Sequence, residues 1–219
     1  MVTRENGLEW KKCKYLGSML DTEADITRRK QQSMISFNQM KSKLQSSELS
    51  LSVRMRLFCC YVTSVFMYNS EIWRLTKKLE NDIDVFHRRL LRKVLNIRYP
   101  FIISNKDLYE RTNEKTWSST ILHRRLSWTG HLLRLKEETP AWLAFKESNK
   151  TSVRKGQGNK LTYNKLVDND LRKVNNNISI INSNIRLLAR NQGFWRSEVV
   201  GKSTAIANKC LRRSMMLIN

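Results

Sequence analysis

Between Thr76 and Arg98 the apolar residues Ile83, Phe86, Leu90, Val94 and Ile97 fall on one narrow stripe when each residue is turned by about 100° from the last. A segment patterned in this way buries its apolar side chains only as a helix laid against a core. The spacing therefore predicts a helix over 76–98, ended by Pro100, whose ring fits no helix interior. Arg88, Arg89, Arg92 and Lys93 project from a different face of the same helix. One element thus calls for a helical core on one side and, on the other, presents clustered positive charge that serves either phosphate contact or a solvated face.

The remaining segments extend this into a mainly α fold. Residues 8–20, LEWKKCKYLGSML, carry the one convincing β signal, short apolar pieces around Gly17 that read as one or two short strands. An acidic first turn after Asp21, followed by Ile26, Met34, Phe37, Met40 and Leu44, predicts a helix from about 23 to 46. Ser50 suits an N-cap for the next segment, in which 57–68 are apolar on nearly every side. This reads as a helix buried all round, with a strand pair as the alternative that periodicity alone does not separate. Ser104 with Asp107 caps a short helix through Arg111, and 116–135 gives another helical run. Residues 149–160, NKTSVRKGQGNK, form a basic glycine-containing linker. Beyond it, 161–174 and 184–200 are weaker helices separated by NNNISIINSN. The organisation expected is a hairpin in 1–20, a helical bundle in 21–148, the linker, and a loosely packed helical part in 161–219.

Charge narrows the function. With 41 Lys+Arg against 19 Asp+Glu, the 219-residue chain carries a formal +22. Such self-repulsion is best explained by a polyanionic partner. Further clusters at Arg28, Arg29 and Lys30, at Arg124 and Arg125, at Arg154 and Lys155, and at Arg212 and Arg213 suggest an extended track along a duplex rather than one base-reading helix. Trp117 and Trp128 lie near Arg124 and Arg125 in sequence, where they serve either base stacking or the core. The four cysteines, Cys13, Cys59, Cys60 and Cys210, contain no CxxC pair, so a disulfide framework is not indicated and an intracellular, reducing compartment is expected. No apolar leader or bilayer-spanning stretch is visible. Gly156 and Gly158 lack phosphate-loop spacing, and His87, His123 and His131 lack partners at a zinc-finger spacing. Asp82 and Asp84, like Asp168 and Asp170, read as helix-beginning carboxylates that favour the dipole. Neither cofactor nor metal is expected.

Read in order, KYLGSMLDTEADITRRK (14–30), the block from 49 to 113 that holds YNSEIW, HRRLLRKVLNI and SNKDLYERTN, then HRRLSWTGHLLRL (123–135) and the Trp195-Arg196 pair resemble the C-terminal region of LINE-type, non-LTR retrotransposon reverse transcriptases. The resemblance covers about residues 10–136 well and 137–200 loosely. It implies that Tyr15, Leu16 and Gly17 belong to the hairpin at the end of the palm that supports the primer. It also implies that the helices after them form a thumb holding the template-primer duplex. The family's catalytic Tyr-x-Asp-Asp turn lies upstream of that hairpin, and no such turn occurs in these 219 residues. No polymerase activity is expected of the chain by itself, which looks like a truncated element copy. Two departures stand out: Gly158-Asn159-Lys160 in place of a Gly-Arg-Pro-Lys loop, and Asn69 where the family's Tyr-Gly-x-Glu-x-Trp block has glycine.

The expectation is a nucleic-acid-binding, thumb-like helical region that takes RNA or RNA/DNA hybrid without sequence preference, as in a ribonucleoprotein with element RNA. Arg88, Arg89, Arg92 and Lys93 would hold phosphate, and Arg124 and Arg125 would make a second contact. The alternative is a basic helical interaction protein that docks on an acidic protein or an anionic membrane surface. An active enzyme would require carboxylates from another chain. A hairpin without its sheet is marginal, so low order is expected for 1–20 and after about 200.

Overall fold

In the computed structural model the described residues are 13–147, 162–175, 178–180 and 184–203. They form a mainly α protein whose one sheet among those residues is a two-stranded antiparallel hairpin. The linker 149–160 and the clusters at Arg154–Lys155 and Arg212–Arg213 lie outside them. Two compact units are present, Met1–Ser70 with Leu75–Glu114, and Glu71–Arg74 with Lys115–Asn219. The boundary at Glu114 falls inside the segment 21–148, and the helix expected in 161–174 shares its unit with residues 115–147.

The first unit begins with β1 (Lys14–Tyr15) and β2 (Ser18–Met19), paired Lys14 to Met19 and Tyr15 to Ser18. Leu16 and Gly17 make the turn with φ of 45° and 83°; two successive left-handed residues give the twist that a two-residue hairpin needs, and glycine supplies one of them without strain. Of the segments expected to have low order, residues 1–12 and those after 203 lie outside the described residues. The turn is tied down: the Gly17 carbonyl accepts from Arg28 Nη1 and Arg29 Nη2, each at 2.6 Å, and the Leu16 carbonyl accepts from the Tyr68 hydroxyl at 3.0 Å. Asp25 Oδ1 accepts the Met19 N–H at 3.0 Å. These bonds brace the hairpin with helix side chains.

Helix α1 (Thr22–Gln39) opens with Asp21 accepting from the Ala24 N–H and stops at Met40, after which a short α2 (Lys41–Leu44) follows. Helix α3 (Leu51–Phe58) is capped by Ser50, runs into a π-helical turn at Cys59–Thr63, and ends as α4 (Ser64–Phe66). This stretch is a helix, but it is not buried all round. Met55, Phe58, Val62, Phe66 and Met67 are buried, whereas Cys59, Cys60, Tyr61 and Tyr68 face solvent. The apolar residues outnumber the places on one helical face, and the surplus stays in water. Asn69 follows at φ 61°. The position is left-handed, and asparagine is the residue besides glycine that tolerates it best. A 3₁₀ turn at Ser70–Ile72 then leads toward α5 (Lys77–Val94) and α6 (Asn105–Thr112).

The second unit is built on α7 (Trp117–Arg134), capped by Thr116. Around it lie α8 (Pro140–Glu147), α9 (Tyr163–Val174), α10 (Ile185–Arg190), α11 (Gln192–Phe194) and a π-helical segment, Trp195–Gly201. Its core gathers Leu126, Leu132, Leu133, Phe145, Val167, Leu171, Ile178 and Val199 around Trp195. Gly130 of α7 sits under that indole, whose Nε1 donates to the Leu126 carbonyl at 3.0 Å. The described cysteines, Cys13, Cys59 and Cys60, are free thiols. Although the residue as a whole is exposed, partial desolvation of the sulfur, which donates to Glu114 Oε1 at 3.1 Å, pushes the Cys59 thiol up to about 12, so the thiolate that would react with an oxidant is not formed at neutral pH.

Candidate nucleic-acid interface

Helix α5 keeps the predicted stripe. Ile83, Phe86, Leu90 and Val94 are buried, joined by His87 and Leu91, with Ile97 half-buried beyond the helix end. Thr76 caps the start, accepting from the Leu79 N–H. The helix ends at Val94, capped by Leu95, well before Pro100. Asn96 takes φ 56°, and the N–H groups of Asn96 and Ile97 donate back to the carbonyls of Lys93 and Arg92. A left-handed asparagine closes the last turn before the proline is reached. The terminal carbonyls are also fixed from outside: Arg54 Nη1 donates to Val94 at 2.9 Å and Gln45 Nε2 to Lys93 at 2.7 Å.

The rotational setting thus imposed leaves Val85, Arg88, Arg89, Arg92 and Lys93 on one outward face. Together with Ile97 and Asn105, the first residue of α6, they line an open depression of about 510 Å³. No carboxylate lines it. Arg92 Nη2 donates to Asn105 Oδ1 at 2.7 Å, which orients the guanidinium along the groove. Partial burial, and after it the charge of Arg88, lowers the Arg92 pKa from its ordinary value. A site that disfavours its own cations is one that an anion relieves. Sequence spacing found the four cations. It did not find Asn105, which has no periodic signal and arrives from the next helix.

His87 backs this face from inside, fully buried between Phe58 and Tyr109, at ring-centroid distances of 6.1 and 5.7 Å. Burial, aided by the charge of Arg88, lowers its pKa to about 3. The folded chain therefore keeps His87 neutral down to about pH 3, while the unfolded chain protonates it near 6.5. Between those values the unfolded state binds more protons, so stability falls as pH falls, by up to about 1.4 kcal/mol per pH unit. Urea unfolding followed by circular dichroism is expected to show this slope between pH 6 and pH 4 and to lose it in His87→Leu. An unchanged slope in the variant would place the proton uptake elsewhere.

The other candidate residues are distributed differently. Arg125 does not reach solvent. Its side chain is 1% exposed, paired with the equally buried Asp170, and its Nη2 donates to the Trp73 carbonyl at 3.1 Å. The expectation that Arg125 contacts nucleic acid is corrected by this pairing, because a guanidinium that holds a buried carboxylate cannot leave it cheaply. Asp170 is correspondingly not a helix-dipole carboxylate, and Asp168 accepts from the Ile180 N–H at 3.0 Å and pairs with Arg172. Arg124 is on the surface, where its Nε and Nη2 both donate to Glu71 Oε2, at 3.2 and 3.1 Å. Trp117 belongs to the core, whereas Trp128 is at the surface, stacked on His131 at 5.2 Å. The Arg28–Lys30 cluster is consumed internally, by the hairpin turn, by Asp25 and by an ion pair of Lys30 with Asp82. Tyr15 and Leu16 project into solvent from the braced turn.

Among the described residues no three His, Cys, Asp or Glu side chains converge as metal ligands, and no helix is long and apolar enough to cross a membrane. The fold and site therefore define a mainly α protein with a basic groove on one helix. Among curated proteins the chain is similar to an uncharacterized transposon-derived protein of Caenorhabditis elegans, 24% identical over 131 residues, which are 56% of this chain and 47% of that protein. The match thus spans about half the length of the relative, and it points to a transposon origin. No protein-family model matches the chain, and no solved structure does.

Proposed function

We propose that the chain is a nucleic-acid-binding, thumb-like region of a LINE-type retrotransposon reverse transcriptase, and that it holds RNA or RNA/DNA hybrid through phosphates without catalysing polymerisation on its own. The observation that carries this reading is the groove of Arg88, Arg89, Arg92 and Lys93, concave, free of carboxylates and set on a helix whose opposite stripe is locked in the core. The transposon-derived relative and the ordered motif blocks support it. Three guanidiniums within little more than one helical turn, about 6 Å of axis, match the spacing of successive phosphates better than a dispersed surface charge would. Arg124 is available for a second contact by exchanging Glu71 for phosphate, since a half-exposed ion pair holds by at most about 1 kcal/mol.

Fluorescence anisotropy with labelled RNA/DNA hybrid, titrated with salt, tests this reading. The chain is expected to bind with a steep salt slope. Replacing Arg88, Arg89 and Arg92 together by glutamine is expected to flatten that slope by about 2 to 3 and to weaken binding on the order of 10²-fold at 0.1 M salt. The effect should be uniform across sequences, because phosphate contacts carry no base information. Unchanged affinity in the triple variant defeats the assignment. A chain that ignores nucleic acid but binds anionic vesicles or an acidic protein returns the groove to the interaction reading.

A further inference from the structure

The connection between α5 and α6 leaves and re-enters the fold at the rim of the basic groove, for Ile97 at its start and Asn105 at its end both line the depression. Between them the chain exposes three large apolar side chains in four residues: Tyr99 is 93% exposed, Phe101 79% and Ile102 91%. A turn in which the Phe101 N–H donates to the Arg98 carbonyl at 2.9 Å presents them as a tip. Arg98, also exposed, adds a fifth cation to the four in the groove. Isolated exposed apolar residues need no explanation, but three adjoining ones at the edge of a cationic groove do.

The geometry points to a stacking wedge: we propose that the Tyr99–Ile102 tip takes unpaired bases at a boundary between single strand and duplex, while the phosphates of the adjoining strand lie in the Arg88–Arg92 groove. The inference rests on the nucleic-acid reading of the groove and adds to it a preference for a strand end or junction. Tyrosine and phenylalanine rings offer flat faces on which any base stacks, and an apolar side chain such as Ile102 fills the space between separated base steps. Charge complementarity selects this occupant over others. The groove beside the tip is concave and lined by three arginines to one lysine, a shape that accepts a ridge of phosphates and a donor set that grips each of them in a fork. A lipid surface is met instead by a convex or flat basic rim around an inserted apolar tip.

The test compares the full chain with Tyr99→Ala/Phe101→Ala on two fluorescent probes of equal phosphate number, a blunt RNA/DNA hybrid and a hybrid carrying a short single-stranded overhang. The wild-type chain is expected to prefer the overhang probe. The double variant should lose that preference, about tenfold for each base that stacks, and keep its affinity for the blunt probe within about twofold, with an unchanged salt slope. An overhang made of abasic sugars, which retains the phosphates, should behave like the blunt probe even with the wild-type chain. Both side chains lie in solvent, and circular dichroism checks that the variant stays folded. Salt-sensitive binding of both probes with equal affinity by wild type and variant overturns the wedge and leaves the groove intact. Failure of the wild-type chain to bind either probe overturns the groove and the wedge together. A variant that loses affinity for phosphatidylserine vesicles but not for the overhang overturns the wedge in favour of a membrane anchor.

Discussion

Gly130→Ala is expected to destabilise the second unit by about 2 kcal/mol or more, although alanine is the better helix former by about 1 kcal/mol. A Cβ on Gly130 would lie 2.2 Å from Trp195 Nε1 and 2.6 Å from its Cδ1. Real contacts of this kind do not fall below 3.0 Å, so the indole must shift by nearly an ångström inside a packed core. It must also give up its bond to the Leu126 carbonyl. Trp195→Ala removes the largest side chain of that core and should cost about 3–5 kcal/mol. The pair is coupled, and the double variant Gly130→Ala/Trp195→Ala is expected to be no less stable than Trp195→Ala alone. Urea unfolding of the four proteins closes this cycle. Additive losses would show that the glycine serves something other than the indole. The Trp-x-Gly-His block at 128–131 and the distant Trp195-Arg196 pair are thus two halves of one contact.

The second large effect concerns the ion pair at the centre of the same unit. Asp170→Leu is expected to cost about 3–5 kcal/mol, because it strands the Arg125 guanidinium in a buried site. Adding Arg125→Met should restore most of the loss, since a buried pair exchanged for apolar side chains of similar volume is often neutral. The Trp73 carbonyl, which Arg125 also satisfies, sets the part that is not recovered. Trp73, Trp117, Trp128, Trp142 and Trp195 all belong to this unit, so tryptophan emission follows its unfolding. Equal destabilisation in the single and double variants would mean that the pair contributes nothing beyond packing. Nucleic-acid binding by the groove of the first unit should survive the double variant, which separates the buried arginine from the exposed ones.

Much of the secondary structure is legible in local pattern. The stripe over Ile83, Phe86, Leu90 and Val94, the caps at Ser50 and Ser104, the helical run that starts at 116 and the helix from Tyr163 follow from hydrogen-bond needs and side-chain spacing within a few turns. Where the reading failed, the missing information was non-local. The segment 57–68 has enough apolar residues to be buried all round, and only the supply of neighbours decided that Tyr61 and Tyr68 stay wet. Pro100 is a strong helix stop, yet the helix is already over at Val94, with Asn96 just past its cap in a left-handed conformation that its side chain makes tolerable.

The arginine doublets show the division most clearly. Arg28-Arg29, Arg88-Arg89 and Arg124-Arg125 all lie on helices and are chemically the same. The sequence by itself determined that each doublet sits on a helix and that one helix turns a narrow apolar stripe away from its cations. It also determined the excess of charge that a polyanion would neutralise. Only the tertiary structure decided that Arg29 holds a hairpin carbonyl, that Arg125 is sealed against Asp170 from 45 residues away, and that Arg88 and Arg89 remain on an open groove. The physical reason is that helix geometry is fixed by neighbours along the chain, whereas a guanidinium is spent or left free according to which acceptor reaches it across the fold.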